Sequence, residues 1–145
     1  MTRELVDLVD LDHGDPRWAL ALPVLQELRP HLTEALLETV MREGGPQGLR
    51  FLAAFDGETC LGVAGWRFMA TTSVIRKLYV DDLVTARERR SAGVGAVLLH
   101  ELEHRARAAG CSALELDSGV QRHGAHRFYL RERMRISSHH FAKEL

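Results

Sequence analysis

Cysteine and long apolar runs are both scarce in this sequence. Its 2 cysteines, Cys60 and Cys111, form no CxxC motif, which argues against a disulfide framework and predicts reduced thiols in a reducing compartment. No apolar run approaches the length of a membrane span, and the acidic start MTRELVDLVD is unlike a signal peptide. We therefore expect a cytoplasmic protein with no membrane partner.

Net charge is also nearly absent, because 19 Lys and Arg balance 20 Asp and Glu to leave -1 at pH 7. So small a charge creates no overall field that would attract nucleic acid, and we expect no nucleic-acid partner. The 145 residues, 46% of them apolar, suit one globular core, and no linker or low-complexity tract interrupts them. Residues 1–145 are therefore predicted to form a single domain.

Histidine is more frequent, with 8 copies, and four of them invite a metal interpretation: His123, His126, His139 and His140. Adjacent histidines in a strand point to opposite faces, however, and no cysteine or pair of carboxylates completes the set. We expect no metal.

The apolar pattern predicts the order β, α, α, β, β, β, α, β, α, β. Thr33 is typical of a helix start, and Asp56-Gly57 predicts a hairpin between two apolar strands. Gly62 and Gly65, inside the second of these strands, indicate a bulge or a close approach of another backbone.

The remaining strands are predicted at residues 5–11, 77–85 and 112–118, with a closing strand or hairpin over residues 134–145. The connection from residue 85 to residue 113 passes through a helix, and it is long enough to leave the two flanking strands parallel.

Arginine and glycine are concentrated in ARERRSAGVG, residues 86–95, just before a helical pattern. The start of a helix exposes unpaired N–H groups and about half a positive charge, which favours an anion. Gly93 and Gly95 leave those groups accessible, and Arg89 and Arg90 can hydrogen-bond phosphate. The segment is typical of a pyrophosphate site, although the glycines alone fit an ordinary structural turn equally well.

Two common nucleotide motifs fit this segment poorly. A nucleoside triphosphate loop requires Lys and then Ser or Thr after its last glycine, whereas Ala96 and Val97 follow Gly95. A dinucleotide fold requires a third glycine where Leu98 stands. A fragment of a NAD-binding oxidoreductase is kept as an alternative hypothesis.

The segment RSAGVGA, residues 90–96, resembles the R/Q-x-x-G-x-G/A motif of the GNAT superfamily of N-acetyltransferases. KLYVDDLVT and ALELDS are similar to two strands of that family, and AHRFYLRERM is similar to the segment that supplies its tyrosine. The resemblance implies an α/β (α+β) fold. It has a mixed, mostly antiparallel sheet of about six or seven strands, about four helices, and a parallel, splayed pair at 78–85 and 112–118.

The resemblance also implies that acetyl-CoA is the cofactor. The residues implied to bind it are Leu83, Val84 and Thr85 at the end of a strand, and Arg89, Arg90, Ser91, Ala92, Gly93, Val94, Gly95 and Ala96 in the turn. Backbone N–H groups near Leu83 and Val84 would meet the thioester carbonyl, and those of the turn would bind the pyrophosphate.

The implied activity is transfer of an acetyl group to the amino group of a small molecule or peptide, by direct attack through a tetrahedral intermediate. Tyr129 is the candidate donor of a proton to the departing thiolate. Asp82 or Asp81 is the candidate base; since adjacent strand residues point to opposite faces, we expect only one of them in the cleft. Glu115 and Asp117 are second candidates.

The sequence departs from the family pattern in two places. Arg122 stands where many members have Asn, and Arg133-Met134 replaces a Gly-Phe pair. A domain that binds CoA as a sensor, without turnover, is an alternative that would not need Tyr129. The identity of the acceptor and the formation of a homodimer are left open.

Overall fold

The computed structural model describes residues 6–90 and 92–145, so Leu5 and Ser91 lie outside the described part of the chain. The chain divides into two compact units, Met1–Glu115 and Leu116–Leu145. The strands and helices, in chain order, are β1 (Asp7–Asp10), α1 (Trp18–Leu28), α2 (Glu34–Gly44), β2 (Arg50–Asp56), β3 (Thr59–Thr71), β4 (Ile75–Thr85), α3 (Val94–Ala108), β5 (Ala113–Leu116) and α4 (His123–Arg131). None of the helices in the described ranges is long and apolar enough to cross a bilayer.

The sheet has the strand order β1-β2-β3-β4-β5. Neighbours are antiparallel from β1 to β4, and α3 then crosses over to β5, which lies parallel to β4. The predicted α+β fold class is confirmed, with four helices and the parallel pair. The described residues contain five strands rather than about six or seven.

The closing strand or hairpin expected over residues 134–145 is wrong, because these residues form neither helix nor strand. Two of their large apolar side chains, Ile136 and Phe141, are 77% and 91% exposed. Five positions separate them, so they would point to opposite faces of a strand and could not make one buried face. The segment therefore lacks the period-two pattern that a half-buried strand requires.

Close packing in the middle of the sheet depends on glycine. A Cβ at Gly62 would lie 2.9 Å from the carbonyl oxygen of Val84 and 2.9 Å from Cγ1 of Val94. A Cβ at Gly65 would lie 3.0 Å from a carboxylate oxygen of Asp82. The close approach of another backbone is confirmed at Gly62, where it lets α3 lie directly against β3, whereas the atoms close to Gly65 belong to side chains.

The core covers both faces of the sheet. On one face α3 buries the side chains Val94, Leu98, Leu99, Leu102 and Ala106. On the other, Trp18 of α1 packs edge-on against Phe51 of β2, with ring centroids 5.0 Å apart. Each fully buried leucine contributes about 1.5–3 kcal/mol. This packing fixes the start of α3 beside the end of β4.

Candidate active site

Helix α3 begins without a side-chain cap. Its N-cap residue is Gly93, whose φ of 84° is left-handed and whose missing Cβ would have no neighbour within 4 Å. The first bond inside the helix runs from the N–H of Val97 to the carbonyl of Gly93, at 3.1 Å. The N–H groups of Val94, Gly95 and Ala96 therefore have no partner inside this described helix, an arrangement that favours an anion.

The segment before α3 is a charged turn closed by its own backbone. A single 3-10 turn spans Arg87–Arg89, and the N–H of Ala92 donates to the carbonyl of Arg89 at 3.2 Å. The N–H of Arg90 also bonds within this turn, at 3.4 Å. The amides of Arg90 and Ala92, expected to face the pyrophosphate, are thus already used, and Ser91 lies outside the described residues. Arg89 is half-buried and Arg90 is exposed.

The end of β4 directs two main-chain N–H groups away from β3. The N–H of Ala86 donates to the carbonyl of Leu61 at 2.8 Å, just beyond the last pair of the β3–β4 register. In the alternating antiparallel pattern, Val84 is then hydrogen-bonded to β3, whereas Leu83 and Thr85 face the other edge of β4. Leu83, and not Val84, therefore offers an N–H group outside this ladder.

Strand β5 is too short to pair with this end of β4. The N–H of Ser112 donates to the carbonyl of Arg76 at 3.0 Å, which sets the two strands level near the start of each. From there β5 has 4 residues, whereas β4 has 11. Because strands rise by about 3.3 Å per residue, β5 ends level with the middle of β4. The N–H of Leu83 therefore lies beyond the β4–β5 ladder.

Asp81 and Asp82 lie on the same side of the sheet, so the expectation of opposite faces is wrong. The register against β3 skips Asp81, which is the extra residue of a β-bulge. The carboxylate of Asp81 accepts two hydrogen bonds from Arg67, at 3.0 and 2.9 Å, and that of Asp82 accepts one from Arg29, at 2.8 Å. Arg67 and Gly65 lie two positions apart in β3 and share one face. A Cβ at Gly65 would point at the carboxylate of Asp82, so Asp82 lies on the same face as Arg67. The bulge interrupts the two-residue alternation from which the expectation came.

All four candidate bases have cationic or histidine neighbours. Asp81 and Asp82 are paired with arginines, and each would have to leave its arginine before it could take a proton from an acceptor. Glu115 accepts a hydrogen bond from Lys77 Nζ at 2.9 Å. Asp117, in the second unit, lies 3.5 Å from Nδ1 of His140.

Tyr129 lies on α4 in the second unit and is half-buried. Burial raises the pKa of its phenol above the usual 10.0, and the charge and hydrogen bond of Arg122 lower that pKa in part. The hydroxyl is therefore protonated at neutral pH, as a proton donor must be. Arg122 is the residue that replaces the Asn of the family pattern, so this departure brings a cation to the candidate acid.

His123 and His126, two of the four histidines considered as metal ligands, interact with each other and with the backbone. The rings of His123 and His126 are edge-on with centroids 6.1 Å apart, and Nε2 of His126 lies 2.8 Å from the carbonyl oxygen of Gly119. Within residues 6–90 and 92–145, no three side chains of His, Cys, Asp or Glu group as metal ligands.

Sequence reasoning missed Arg29 and Arg67. The one signal for Arg67 was a cation inside an otherwise apolar strand, since a part-buried charge needs a partner of opposite sign. Arg29 gave no signal, because it lies outside every motif and its partner Asp82 is 53 positions away.

Comparison with known proteins shows what this chain resembles. The acetyltransferase (GNAT) family model matches residues 12–133. An uncharacterized N-acetyltransferase of Bacillus subtilis is 32% identical over 113 residues, which cover 77% of this chain and 80% of the relative. An aminoalkylphosphonate N-acetyltransferase of Salmonella typhimurium is 39% identical over 66 residues, which cover 46% of this chain and 43% of that one.

The fold likeness extends to nearly the whole chain. The structure of an aminoglycoside N-acetyltransferase in complex with CoA has a TM-score of 0.82 at 11% identity, and the match covers 97% of this chain and 94% of that one. The family match includes the glycine turn before α3, the end of β4 and α4. The chain therefore belongs to the GNAT acetyltransferase family, and it is an N-acetyltransferase.

Proposed function

We propose that this N-acetyltransferase takes its acetyl group from acetyl-CoA and transfers it directly to the amino group of a small molecule or peptide. The observation that carries the proposal is the left-handed, uncapped Gly93 at the start of α3, beside the end of β4, where the N–H of Leu83 points away from β3. Acetyl-CoA would supply an activated thioester. The residues of the chain bind acetyl-CoA, orient its thioester and donate a proton to the departing thiolate.

The start of α3 holds the diphosphate. Val94, Gly95 and Ala96 donate their N–H groups to phosphate oxygens, and Gly93 keeps the approach free of side-chain atoms. Arg89 and Arg90 add positive charge from the preceding turn, and Ser91 remains a predicted contact. Gly93 has no side chain that could cap the helix, so among the described residues the N-cap does not compete with a ligand for these amides.

The end of β4 orients the thioester. The N–H of Leu83 donates to the carbonyl oxygen, and it strengthens that bond when the oxygen becomes negatively charged during attack by the amine. Fixed donors of this kind lower the barrier by about 3–4 kcal/mol in other enzymes. Thr85 faces the same edge and can bind the pantetheine chain, whereas the amide of Val84 is used in the β3–β4 ladder.

Tyr129 supplies the proton that the departing thiolate takes up, and the proton that the nitrogen loses as the amide forms returns to the Tyr129 phenolate, directly or through water. Its phenol is protonated at neutral pH, since the usual pKa of 10.0 already lies well above 7 and burial raises it further. A positioned acid accelerates a reaction by about 10²- to 10⁴-fold. Asp81 and Asp82 are assigned to holding β4, since both carboxylates are bound by arginines; the amine then reaches the site in its neutral form or loses its proton to water.

Three measurements test the proposal. CoA and acetyl-CoA at a hundred times their dissociation constants should each stabilise the protein by about 2.7 kcal/mol, and NAD should not. A panel of amines that includes an aminoalkylphosphonate and an aminoglycoside is then screened for release of free CoA thiol.

Tyr129→Phe should lower kcat by about 10²- to 10⁴-fold without weakening CoA binding. Absence of stabilisation by CoA would overturn the assignment of the turn, and an unchanged kcat would overturn that of Tyr129.

A further inference from the structure

The bulge in β4 decides where the N–H of Leu83 points. Asp81 has no partner in the β3 register, so each residue after it is displaced by one position relative to an unbulged strand. Successive N–H groups point alternately to the two edges of a strand. If Asp81 paired with β3 and the bulge were lost, the N–H of Leu83 would therefore point towards β3 and join the β3–β4 ladder. The direction of this donor therefore depends on how firmly the extra residue is held.

Two arginines hold the extra residue from different elements. Arg29, which follows α1, donates from Nη2 to the carbonyl oxygen of Asp81 at 3.2 Å and from Nε to the carboxylate of Asp82 at 2.8 Å. Arg67 of β3 binds the carboxylate of Asp81 with two hydrogen bonds, at 3.0 and 2.9 Å. One guanidinium thus grips both the main chain of the bulge and the side chain that follows it. Gly65 leaves the room that this requires, since its missing Cβ would lie 3.0 Å from Asp82.

We propose that Arg29 is a positioning residue for acetyl transfer, because it clamps the β4 bulge so that the N–H of Leu83 stays directed at the thioester carbonyl. The inference rests on the proposed function, which gives Leu83 its role. Arg67 supports the same bulge from the neighbouring strand. The planar fork of an arginine suits this task, since a lysine carries a single ammonium and cannot keep both acceptors in fixed geometry.

The clamp contributes little to the stability of the fold. The side chain of Arg29 is 44% exposed and that of Asp82 is 16% exposed, and ion pairs with an exposed partner stabilise proteins only weakly. Loss of Arg29 should therefore change the alignment of Leu83 more than the melting temperature. This difference separates a positioning role from a merely structural one.

Binding of acetyl-CoA and of CoA to the same variants tests the clamp without an acceptor. Only acetyl-CoA carries the carbonyl that Leu83 would meet, whereas both ligands carry the diphosphate. We expect Arg29→Gln to weaken acetyl-CoA binding by about fivefold to tenfold and CoA binding by less than about twofold. In turnover with an accepted amine, kcat should fall about tenfold to a hundredfold. Arg29→Lys should recover only part of both losses.

Arg17→Gln is the matched control. It removes an exposed arginine that is also bound to an aspartate, Asp15, at 2.7 Å, and it should change neither affinity. If the wild-type protein binds neither ligand, the proposed function fails. If it binds both and the ratio of the two dissociation constants is the same in Arg29→Gln, the clamp is wrong and the proposed function stands. Equal weakening of both ligands would also overturn the clamp, because it would indicate a general distortion.

Discussion

A methyl group added at Gly93 would meet no neighbouring atom, yet it would place an L residue in the left-handed region, at a φ of 84°. Gly14 matches it in both respects, with open space and a φ of 85°. We expect Gly93→Ala and Gly14→Ala to lower the free energy of unfolding alike, by about 1–2 kcal/mol. Only Gly93→Ala should weaken CoA binding, by about tenfold, because the methyl obstructs the amides of α3. Calorimetric titration with equal CoA affinity in the two variants would contradict the role of Gly93.

The effect of the Arg122 charge on the pKa of Tyr129 should be measurable without turnover. The chain has 2 tyrosines, so a Tyr79→Phe background leaves one phenol to titrate by ultraviolet absorbance. Among the described residues, Arg122 is the charged group that lowers the pKa of Tyr129, against the larger effect of burial. Arg122→Gln should therefore move the midpoint to higher pH, and Arg122→Lys should move it less. A midpoint that does not move in Arg122→Gln would show that the guanidinium does not act on the phenol.

Single residues could be predicted from the sequence where a motif names them. The position of Gly93 at the start of α3 was predicted in this way, and the role of Tyr129 stays a prediction. Arg29 and Arg67 were not predicted, because their contacts are with partners that only the fold brings near. The bare helix start itself is visible in the sequence, since glycine is the residue that offers no cap.

Helix α3 and strand β3 pack so closely at Gly62 that a methyl group there would meet main-chain atoms. A Cβ would lie 2.9 Å from the carbonyl oxygen of Val84, which cannot rotate away as a side chain would. We expect Gly62→Ala to lower the free energy of unfolding by about 1–3 kcal/mol and to weaken CoA binding, because α3 must shift. Gly124→Ala, in open space on α4, should be neutral or stabilising by up to about 1 kcal/mol. Urea denaturation in which the two variants match would indicate that α3 moves away from β3 without strain.

Elements that carry their own signals could be predicted, and those that depend on a partner strand could not. Thr33 caps α2 as expected, accepting a hydrogen bond from the N–H of Leu36 at 3.1 Å. The glycines of β3 indicated an irregularity, and the β2–β3 register does skip Leu61 of β3, beside Gly62. The other extra residue, Asp81, lies in β4 opposite Gly65, and a bulge in the partner strand gives no signal of its own in the sequence. The closing strand or hairpin over residues 134–145 was predicted although the segment lacks the alternation that a half-buried strand needs.

At the scale of the whole molecule, alkaline pH should destabilise the protein through Cys60. Burial raises the pKa of its thiol from 9.0 to about 11. The folded state then holds the proton more tightly than the unfolded state, so this stabilisation is complete below pH 9 and is lost as pH rises through about 11. Urea denaturation should show a decrease of about 3 kcal/mol over that window. The decrease should be smaller in Cys60→Ala, and an identical pH dependence in the two proteins would exclude Cys60 as its source.

The fold as a whole could be predicted because one long crossover and one motif restrict the topology strongly. The connection through α3 made β4 and β5 parallel, and the glycine turn fixed where that helix begins. The number of strands in the described residues was overestimated because the apolar pattern counted residues 134–145 as a closing strand and the resemblance allowed a seventh.

The two helix starts differ in a way that bears on the fate of the protein in a cell. Thr33 satisfies the start of α2, whereas Gly93 leaves the start of α3 bare, a difference of about 1 kcal/mol in free protein. A bound diphosphate would accept hydrogen bonds from the amides of α3 and, by mass action, would supply the stabilisation that the hydroxyl of Thr33 supplies at α2. A shortage of CoA and acetyl-CoA together would then enlarge the unfolded fraction that proteases remove, so that the abundance of the enzyme would fall with the total supply of its diphosphate ligands.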